Sequence, residues 1–479
     1  MSVHPLVVDL DGTLIRTDML HESALRVLRD SPLHTLRIPG WLAQGKAVLK
    51  ERLAQRTGFD PQTLPYNRDL LAWLKKQHAS GRKLILSTAS DQVIANAIAE
   101  YLGFFDEVMA SDGVTNLAGR QKADELVKRF GEKGFDYAGN SSADIEVWKV
   151  ARHAIVVNAS NAVVAKARQY GKVESVFPAQ PVGMTTVRRM LRVHQWLKNM
   201  LLFIPVLAAH QLTDPDIWMS LTLAFFSFSL CASSVYIAND LLDLESDRQH
   251  PRKRNRPFAS GVVSAWTGVT LAPVLLLASL LIAFEVSSGF VAWLGLYFLI
   301  TCAYSWVLKR VMLIDCLTLA VLYTLRIIAG AAAVGMSLSF WLLAFAVFLF
   351  LSLAFVKRYA ELEVQILHGK EKVHGRGYYT SDAPLLQTMG IAAGYSSVLV
   401  LALYLNSDAV LKLYQTPEVV WCAVPVMLFW ISWMWMQAHR GNMHDDPLVF
   451  AVKDKASLLA GILFAVVLAA GAMSWSWAA

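Results

Sequence analysis

The stretch Asn239-Asp240-Leu241-Leu242-Asp243-Leu244-Glu245-Ser246-Asp247 decides how the chain is read, because it closes an apolar run over 217–239. A run of that length meets the roughly 20 residues that a helix needs to cross a bilayer. On a continuing helix, positions 240, 243 and 247 recur at i, i+3 and i+7, so three carboxylates line one face with the Asn239 amide beside them. Like charges that close repel one another, and at a membrane surface they are costly unless a cation binds there. Oxygen ligands without His or Cys favour a hard dication, Mg²⁺, which takes a few carboxylates and completes its shell with phosphate oxygens. A solvated helix end with scattered acids is the bland alternative, and the asparagine and the arginines that follow weigh against it.

The rest of the chain divides around this motif. Of its 479 residues 55% are apolar and 17% charged, against roughly 45–50% and 25% in soluble domains. The surplus is uneven: residues 1 to about 180 are normally charged, and uncharged windows follow at 266–284, 286–308, 311–334, 338–356, 388–406, 421–438 and 457–477, with a weaker one at 193–209 that contains Lys198. With the first run, about nine spans are expected. Loops on one side carry Arg248, Arg252, Lys253, Arg254, Arg256, Lys309, Arg310, Lys357, Arg358, Lys370, Lys372, Arg376, Arg440, Lys453 and Lys455, and the opposite loops carry only Lys412. The positive-inside rule places the basic side in the cytosol, together with the N-terminal module, and makes the protein a multi-pass component of the inner (plasma) membrane. The net charge of +7 is therefore mostly a topology signal that also suits phosphate ligands, and nucleic acid is not an expected partner.

Several classes drop out. Disordered, collagenous and disulfide-scaffold chains need compositions that are absent here. The four cysteines, Cys231, Cys302, Cys316 and Cys422, fall in apolar segments without metal-ligand spacing and read as reduced core residues. The start, MSVHPLVVDLDGTLIRTD, lacks a basic region followed by an apolar core, so no cleavable signal is expected.

The runs NDLLDLESDRQHPRKRNRPFASG (239–261) and YSWVLKRVMLIDCLTL (304–319) resemble the UbiA superfamily of membrane prenyltransferases, over about residues 185–479. The resemblance implies an all-α bundle of nine transmembrane helices in which two acidic motifs bind Mg²⁺ and a diphosphate at the cytosolic mouth of a lipid-open cavity. The second motif of that pattern usually carries two or more acids; here Asp315 stands with Leu319 four residues on. Within the superfamily the chain looks most like the decaprenyl-phosphate phosphoribosyltransferases, which move phosphoribose from phosphoribosyl diphosphate to a polyprenyl phosphate. That likeness rests on QWLKN at 195–199, the HPRKRNRPFASG run, the lone acid of the second motif and Lys357-Arg358-Tyr359-Ala360-Glu361.

The chemistry gives partly independent support. Phosphoribosyl transfer must hold a diphosphate, a 5-phosphate and the lipid phosphate, whereas aromatic prenylation handles one diphosphate. Here one acid is missing and cations are added: Lys198, Arg254, Arg256, Lys309, Arg310, Arg326, Lys357 and Arg358 offer point charges and bidentate forks for phosphate oxygens. Tyr304, Tyr359 and Asn239 join them as substrate-binding candidates, Asn239 also as a metal ligand. Arg326, well inside a span, needs a partner and is a functional candidate on that ground. Mg²⁺ on Asp240, Asp243 and Asp247, with Lys309 and Arg310, would neutralise the departing diphosphate. The electron-poor carbon left behind is C1 of ribose attacked by the lipid phosphate or, in the alternative, an allylic cation attacked by an aromatic acceptor in quinone-type biosynthesis. Asp315 binds metal or orients an acceptor; the sequence leaves both open. A lipid-binding or transport protein with degenerate versions of these folds is a rival of another class, disfavoured by the intact acids.

Residues 3–14, VHPLVVDLDGTL, read as an apolar strand ending in Asp-x-Asp-Gly-Thr. With KLILSTAS (83–90), GRQKADEL (119–126) and YAGNSSADIEVW (137–148), they resemble the haloacid dehalogenase (HAD) phosphohydrolases over about residues 3–158. The resemblance implies a parallel α/β core with a small helical cap between about residues 17 and 66. It makes Asp9 the nucleophile, Asp11 the general acid and base, Thr88 (in preference to Ser87) a phosphoryl ligand and Lys122 the residue that steadies nucleophile and phosphate. Mg²⁺ would lie on Asp9, Asp11 and Asp144, with Asn140 where an aspartate is usual. The domains expected are 1–160 for the hydrolase, 161–192 for a linker with an amphipathic approach to the membrane, and 193–479 for the transferase. Fusion suggests a joint task in which the hydrolase removes the 5-phosphate of the transferase product. The loop at 359–386 reads as either a lid or a solvated loop, and His444-Asp445-Asp446-Pro447 as a capping turn.

Overall fold

The computed structural model describes residues 4–113, 115–211, 213–369, 371, 376–407, 410, 413–443 and 446–473. Two compact units emerge, one of Met1–Leu191 with Tyr236–Ala272 and the other of Arg192–Val235 with Pro273–Ala479.

The first unit is built on six strands: β1 (Leu6–Val8), β2 (Leu84–Asp91), β3 (Glu107–Ser111), β4 (Asp136–Gly139), β5 (Ala154–Val157) and β6 (Val173–Phe177). They pair in parallel in the order β3-β2-β1-β4-β5-β6. The three residues of β1 are wholly buried and apolar, as a strand covered on both faces must be. Leu6 and Val8 join one core with Leu70, Leu74, Ile94 and Ile98, and Val7 joins the other with Ile85, Leu126 and Trp148. Val8 lies level with Leu86 of β2 and Ala138 of β4, so Asp9 and Asp11 leave the sheet at the carboxyl end of its central strand. That is where the strand order reverses and open α/β sheets bind ligands. The expected cap is present as four short helices, α1 (Met19–Asp30), Pro32–Thr35, Ile38–Ala43 and Lys46–Ala54, around a small core of Val27, Trp41, Leu49 and Leu53. Residues 173–177, expected in the connector, instead form the edge strand β6, whose alternating exposure marks a half-covered strand.

The second unit is helical. Over the chain as a whole, seven helices are long and apolar enough to cross a membrane among the described residues: Pro215–Leu242, Ala265–Val286, Ser288–Trp306, Ile314–Ala333, Phe340–Leu367, Thr380–Leu405 and Pro417–His439. Lys455–Gly471 is apolar but shorter. The expected first span differs most: residues 193–209 form the 3₁₀ helix Val193–Phe203 and the short helix Ile204–Ala208. Lys198 and Asn199 are buried there with polar partners, which fits a segment packed against protein better than one facing lipid. Its closest approach is at Gly330, where an added Cβ would lie 2.0 Å from the Leu202 carbonyl oxygen. Gly330→Ala should therefore cost about 1–3 kcal/mol through overpacking, measured as a lower melting temperature of the detergent-solubilised protein; an unchanged melting curve would refute this packing.

Candidate functional site

The first acidic motif belongs to the first unit. The Pro215–Leu242 helix ends where Asp243 takes φ −97° and ψ 11°, and a short helix, Leu244–Gln249, follows. The helix expected to run through all three acids is thus interrupted at the middle one, although the Asp243 N–H still donates to the Asn239 carbonyl and the Asp247 N–H to the Asp243 carbonyl, at 2.9 and 2.8 Å. Asp240 and Asp247 are buried, and Asp243 and Asn239 half-buried. One guanidinium nitrogen of Arg256 donates to both buried acids, at 3.0 Å to Asp240 and 2.6 Å to Asp247. Burial pushes the Asp247 carboxyl up, against the pull of Arg256. The three carboxylates are not gathered within 4.8 Å of one another. Asp240 and Asp247 converge on a shared cation, and that pair fits a dication that takes one or two carboxylates and fills its shell from a phosphate. Arg254 is exposed.

The second unit holds two buried ionic clusters. Asp315, at 0% exposure, receives Arg358 at 2.9 Å, itself at 0% exposure, and Arg376 at 3.4 Å. Tyr304 donates to Asp315 at 3.3 Å and accepts from Arg376 at 3.1 Å, and Glu361 pairs with both arginines. Arg358 lies on the Phe340–Leu367 helix, which runs well past the expected end of its span. The turn leading to Asp315 is held from outside: Leu313, with φ +66°, donates its N–H to the Tyr378 hydroxyl at 2.9 Å. Gly377 packs so closely that a Cβ would come 2.6 Å from the Arg310 carbonyl oxygen. Lys309 and Arg310 sit on the turn between the Ser288–Trp306 and Ile314–Ala333 helices, half-buried and exposed.

In the second cluster, Lys198 and Lys357 donate to Asp446 at 2.7 and 3.1 Å, and the Tyr323 hydroxyl donates to the same carboxylate at 3.0 Å. Burial acts to raise the Asp446 carboxyl, but the two ammonium groups hold it well below the usual carboxylate range. Asp446 also caps the Pro447–Ala451 helix, as expected of the turn; His444 and Asp445 lie outside the described residues, as does part of the loop at 359–386. Arg326 finds its partners in Asn199 at 3.0 Å and the Tyr297 hydroxyl at 3.1 Å, inside a cage of Phe228, Tyr297 and Tyr323 rings. The partner that an arginine inside a span needs is thus supplied by the chain itself. Tyr359 bonds His439 at 2.9 Å. Asp446, Glu361 and Tyr378 were not found from sequence, since each is a common residue in a loop or helix and acquires meaning only from partners distant in the chain.

At the end of β1, Lys122 bonds Asp9 at 2.7 Å, the Ser87 carbonyl at 3.1 Å and the Tyr137 hydroxyl at 3.0 Å. Asp11 accepts from Ser90 at 2.6 Å, from Thr88 at 3.4 Å and from the Met19 N–H at 2.8 Å, the last tying it to the start of α1. Burial pushes Asp9 up to about 7, with Lys122 opposing, and Asp11 up to about 6, with Asp18 adding to the rise. Gly12 has φ +74°, and a Cβ there would meet the Asn140 amide at 2.0 Å, so Asn140 does stand over the motif. Asp144 accepts from the Tyr137 hydroxyl, the N–H groups of Asn140 and Ser141, and the Ser141 hydroxyl. Three of these donors meet Oδ2 and one meets Oδ1, so the carboxylate expected to hold metal is aimed by the loop around it. Lys50, from the cap, adds a cation bonded to Ala89 O and Asn116, unnoticed in the sequence because it lies in no motif.

Residues 200–459 match the model of the UbiA prenyltransferase family. The chain belongs to the UbiA prenyltransferase family. This UbiA-family chain is 38% identical to the uncharacterized protein y4nM of Sinorhizobium fredii, over 96% of its own length and 90% of the relative's. To the decaprenyl-phosphate phosphoribosyltransferase of Mycolicibacterium smegmatis it is 31% identical, over 56% of its length and 86% of the relative's. Its N-terminal region matches the structure of a HAD family hydrolase from Salmonella enterica at 14% identity and a TM-score of 0.28, over 36% of this chain and 68% of that one. The protein is a multi-pass membrane enzyme of a family that acts on prenyl or polyprenyl phosphates and diphosphates, with a parallel α/β module in the same chain.

Removing the Asp315 charge tests the ionic lock. Asp315→Asn leaves the wholly buried Arg358 with Glu361 as its remaining carboxylate and should cost up to about 3–5 kcal/mol, lowering the melting temperature in metal-free buffer. Wild-type stability would mean that the arginines do not depend on this carboxylate.

Proposed function

We propose that the enzyme transfers 5-phosphoribose from phosphoribosyl diphosphate to a polyprenyl phosphate, decaprenyl phosphate in the relatives' case, and that the HAD-like module then removes the 5-phosphate of the product. The observation that carries this reading is the state of the second motif. Its lone acid is buried between two arginines, so the motif brings cations where a prenyl-diphosphate site with a second metal would need free carboxylates. The name carried by the M. smegmatis relative supports the same choice.

Asp240 and Asp247, with Asp243 and Asn239 beside them, would hold Mg²⁺, which supplies charge neutralisation for the diphosphate when bound. Arg256 already bridges the two acids and is the nearest cation to pass to the diphosphate oxygens as the C1–O bond breaks. Lys198 and Lys357, which now share one oxygen of Asp446, suit a phosphate monoester as compact point charges. An oxygen of the lipid phosphate attacks C1 as diphosphate leaves, and the apolar helices keep water from that carbon. In the α/β module, Asp9 attacks the 5-phosphorus while Asp11 gives its proton to the departing ribose oxygen; water then cleaves the aspartyl phosphate and Asp11 recovers the proton. Mg²⁺ there would rest on Asp9, Asp11 and Asp144. The basic loops support a reading in which both reactions take place at the cytosolic face of the plasma membrane.

Purified enzyme in detergent, given Mg²⁺, labelled phosphoribosyl diphosphate and polyprenyl phosphate, should form a labelled lipid. Product from prenyl diphosphate and an aromatic acid alone would overturn the reading in favour of aromatic prenylation. Asp9→Asn should leave the phosphorylated lipid to accumulate; an unchanged product would remove the phosphatase step. In metal-free buffer both carboxyls lie above the ordinary carboxylate range, at about 7 for Asp9 and about 6 for Asp11, so the module should give up stability as the pH rises from about 4 towards about 7, read as a falling melting temperature; a flat profile would refute their burial.

A further inference from the structure

The segment that follows the first acidic motif is gripped by the first cap helix, α1, within the same compact unit. Glu22 of α1, 2% exposed, accepts two hydrogen bonds from Arg248, at 2.9 and 2.5 Å. The third donor of that guanidinium, Nε, bonds the Ala259 carbonyl at 2.8 Å. Arg29 pairs with Glu245 at 3.5 Å, and Arg26 approaches the same carboxylate at 3.9 Å. The His21 ring stacks on Trp266 with centroids 5.5 Å apart. Gly261, at φ +72°, lies so close that a Cβ would come 2.6 Å from the Arg16 side chain and 2.9 Å from its carbonyl oxygen. The contact is thus made of a buried bidentate ion pair, a second ion pair, a ring stack and a close backbone approach, spread over residues 245–266.

Arg248 is the immediate neighbour of Asp247, and Asp247 meets Asp240 through Arg256. A free guanidinium next to a metal-binding carboxylate would compete for it, and would let the six-residue helix Leu244–Gln249 turn about the break at Asp243. We propose that Glu22 is a positioning residue of the transferase: by holding Arg248 it fixes Asp247 beside Asp240 and keeps a competing cation off the metal–diphosphate site. The α/β module then completes the first acidic motif in addition to any chemistry of its own. This rests on the reading that the motif binds a metal–diphosphate.

The full chain in detergent is titrated with inorganic diphosphate in excess Mg²⁺ by calorimetry, with Asp240→Asn defining the heat that belongs to the first motif. Glu22→Gln should weaken that binding by about tenfold, as loss of a residue that orients a metal ligand does. The exchange Glu22→Arg with Arg248→Glu should recover most of the loss. Arg248→Lys, which keeps the charge and loses the fork, is the milder variant should Glu22→Gln fold poorly, and should weaken binding in the same direction. Wild-type affinity in Glu22→Gln or Arg248→Lys, with binding lost in Asp240→Asn, overturns the positioning role alone. Wild-type affinity in Asp240→Asn overturns the diphosphate reading and this role with it.

Discussion

A carboxylate at zero exposure among apolar helices has to meet its counter-charge at the same point, because no water is there to share the cost. Asp315 and Arg358 meet that condition together, each fully buried. Much of the second unit's polar architecture follows from this pair. Glu361 balances the extra positive charge, Arg376 reaches in from the loop beyond the Phe340–Leu367 helix, and its neighbours Gly377 and Tyr378 fasten the turn that presents Asp315. The same rule recurs at Asp446, between two lysines, and at Asp240 and Asp247, around one arginine. Several cations that suit phosphate are therefore already ordered by carboxylates of the chain. On the phosphoribosyl-transfer reading, a substrate phosphate exchanges with an internal anion at sites whose donors need little rearrangement.

Much of this was legible in the sequence, for definite reasons. Length and apolarity mark the spans because a bilayer sets a fixed requirement. The β1 strand and its aspartates are legible because a strand buried on both faces is continuously apolar and then stops at the charged residues that leave the sheet. The three carboxylates at 240, 243 and 247 are legible from spacing alone, since clustered acids at a membrane surface call for a reason. Their arrangement was not, because the break at Asp243 depends on tertiary contacts. Lys198, Arg256, Lys357 and Arg358 were recognised as phosphate-seeking from their charge, yet, Glu361 beside Arg358 apart, their carboxylate partners are 9 to 248 positions away in sequence, and no helical repeat pairs them. The 193–209 segment failed as a span for the same reason: its Lys198 and Asn199 are satisfied by distant residues, which permits a buried 3₁₀ path.

The α/β module shows the limit in a different form. Asn140 was legible as a departure and does sit over Gly12. The donors of Asp144 were not legible, because they come from Tyr137 on β4 and from the loop that folds back behind it. A motif fixes which residues converge on a point, and the donors around a carboxylate fix how it is aimed.

The first unit is discontinuous, and that has a consequence for how the chain is made. Residues 1–191 leave the ribosome before 192–235, and the 236–272 segment that finishes their unit comes later still. The sheet has all six strands by Phe177, so it can fold early as a domain. Glu22 on α1 nevertheless meets Arg248 only after the Pro215–Leu242 helix has been synthesised, so the last ion pairs of this unit close behind a long apolar helix.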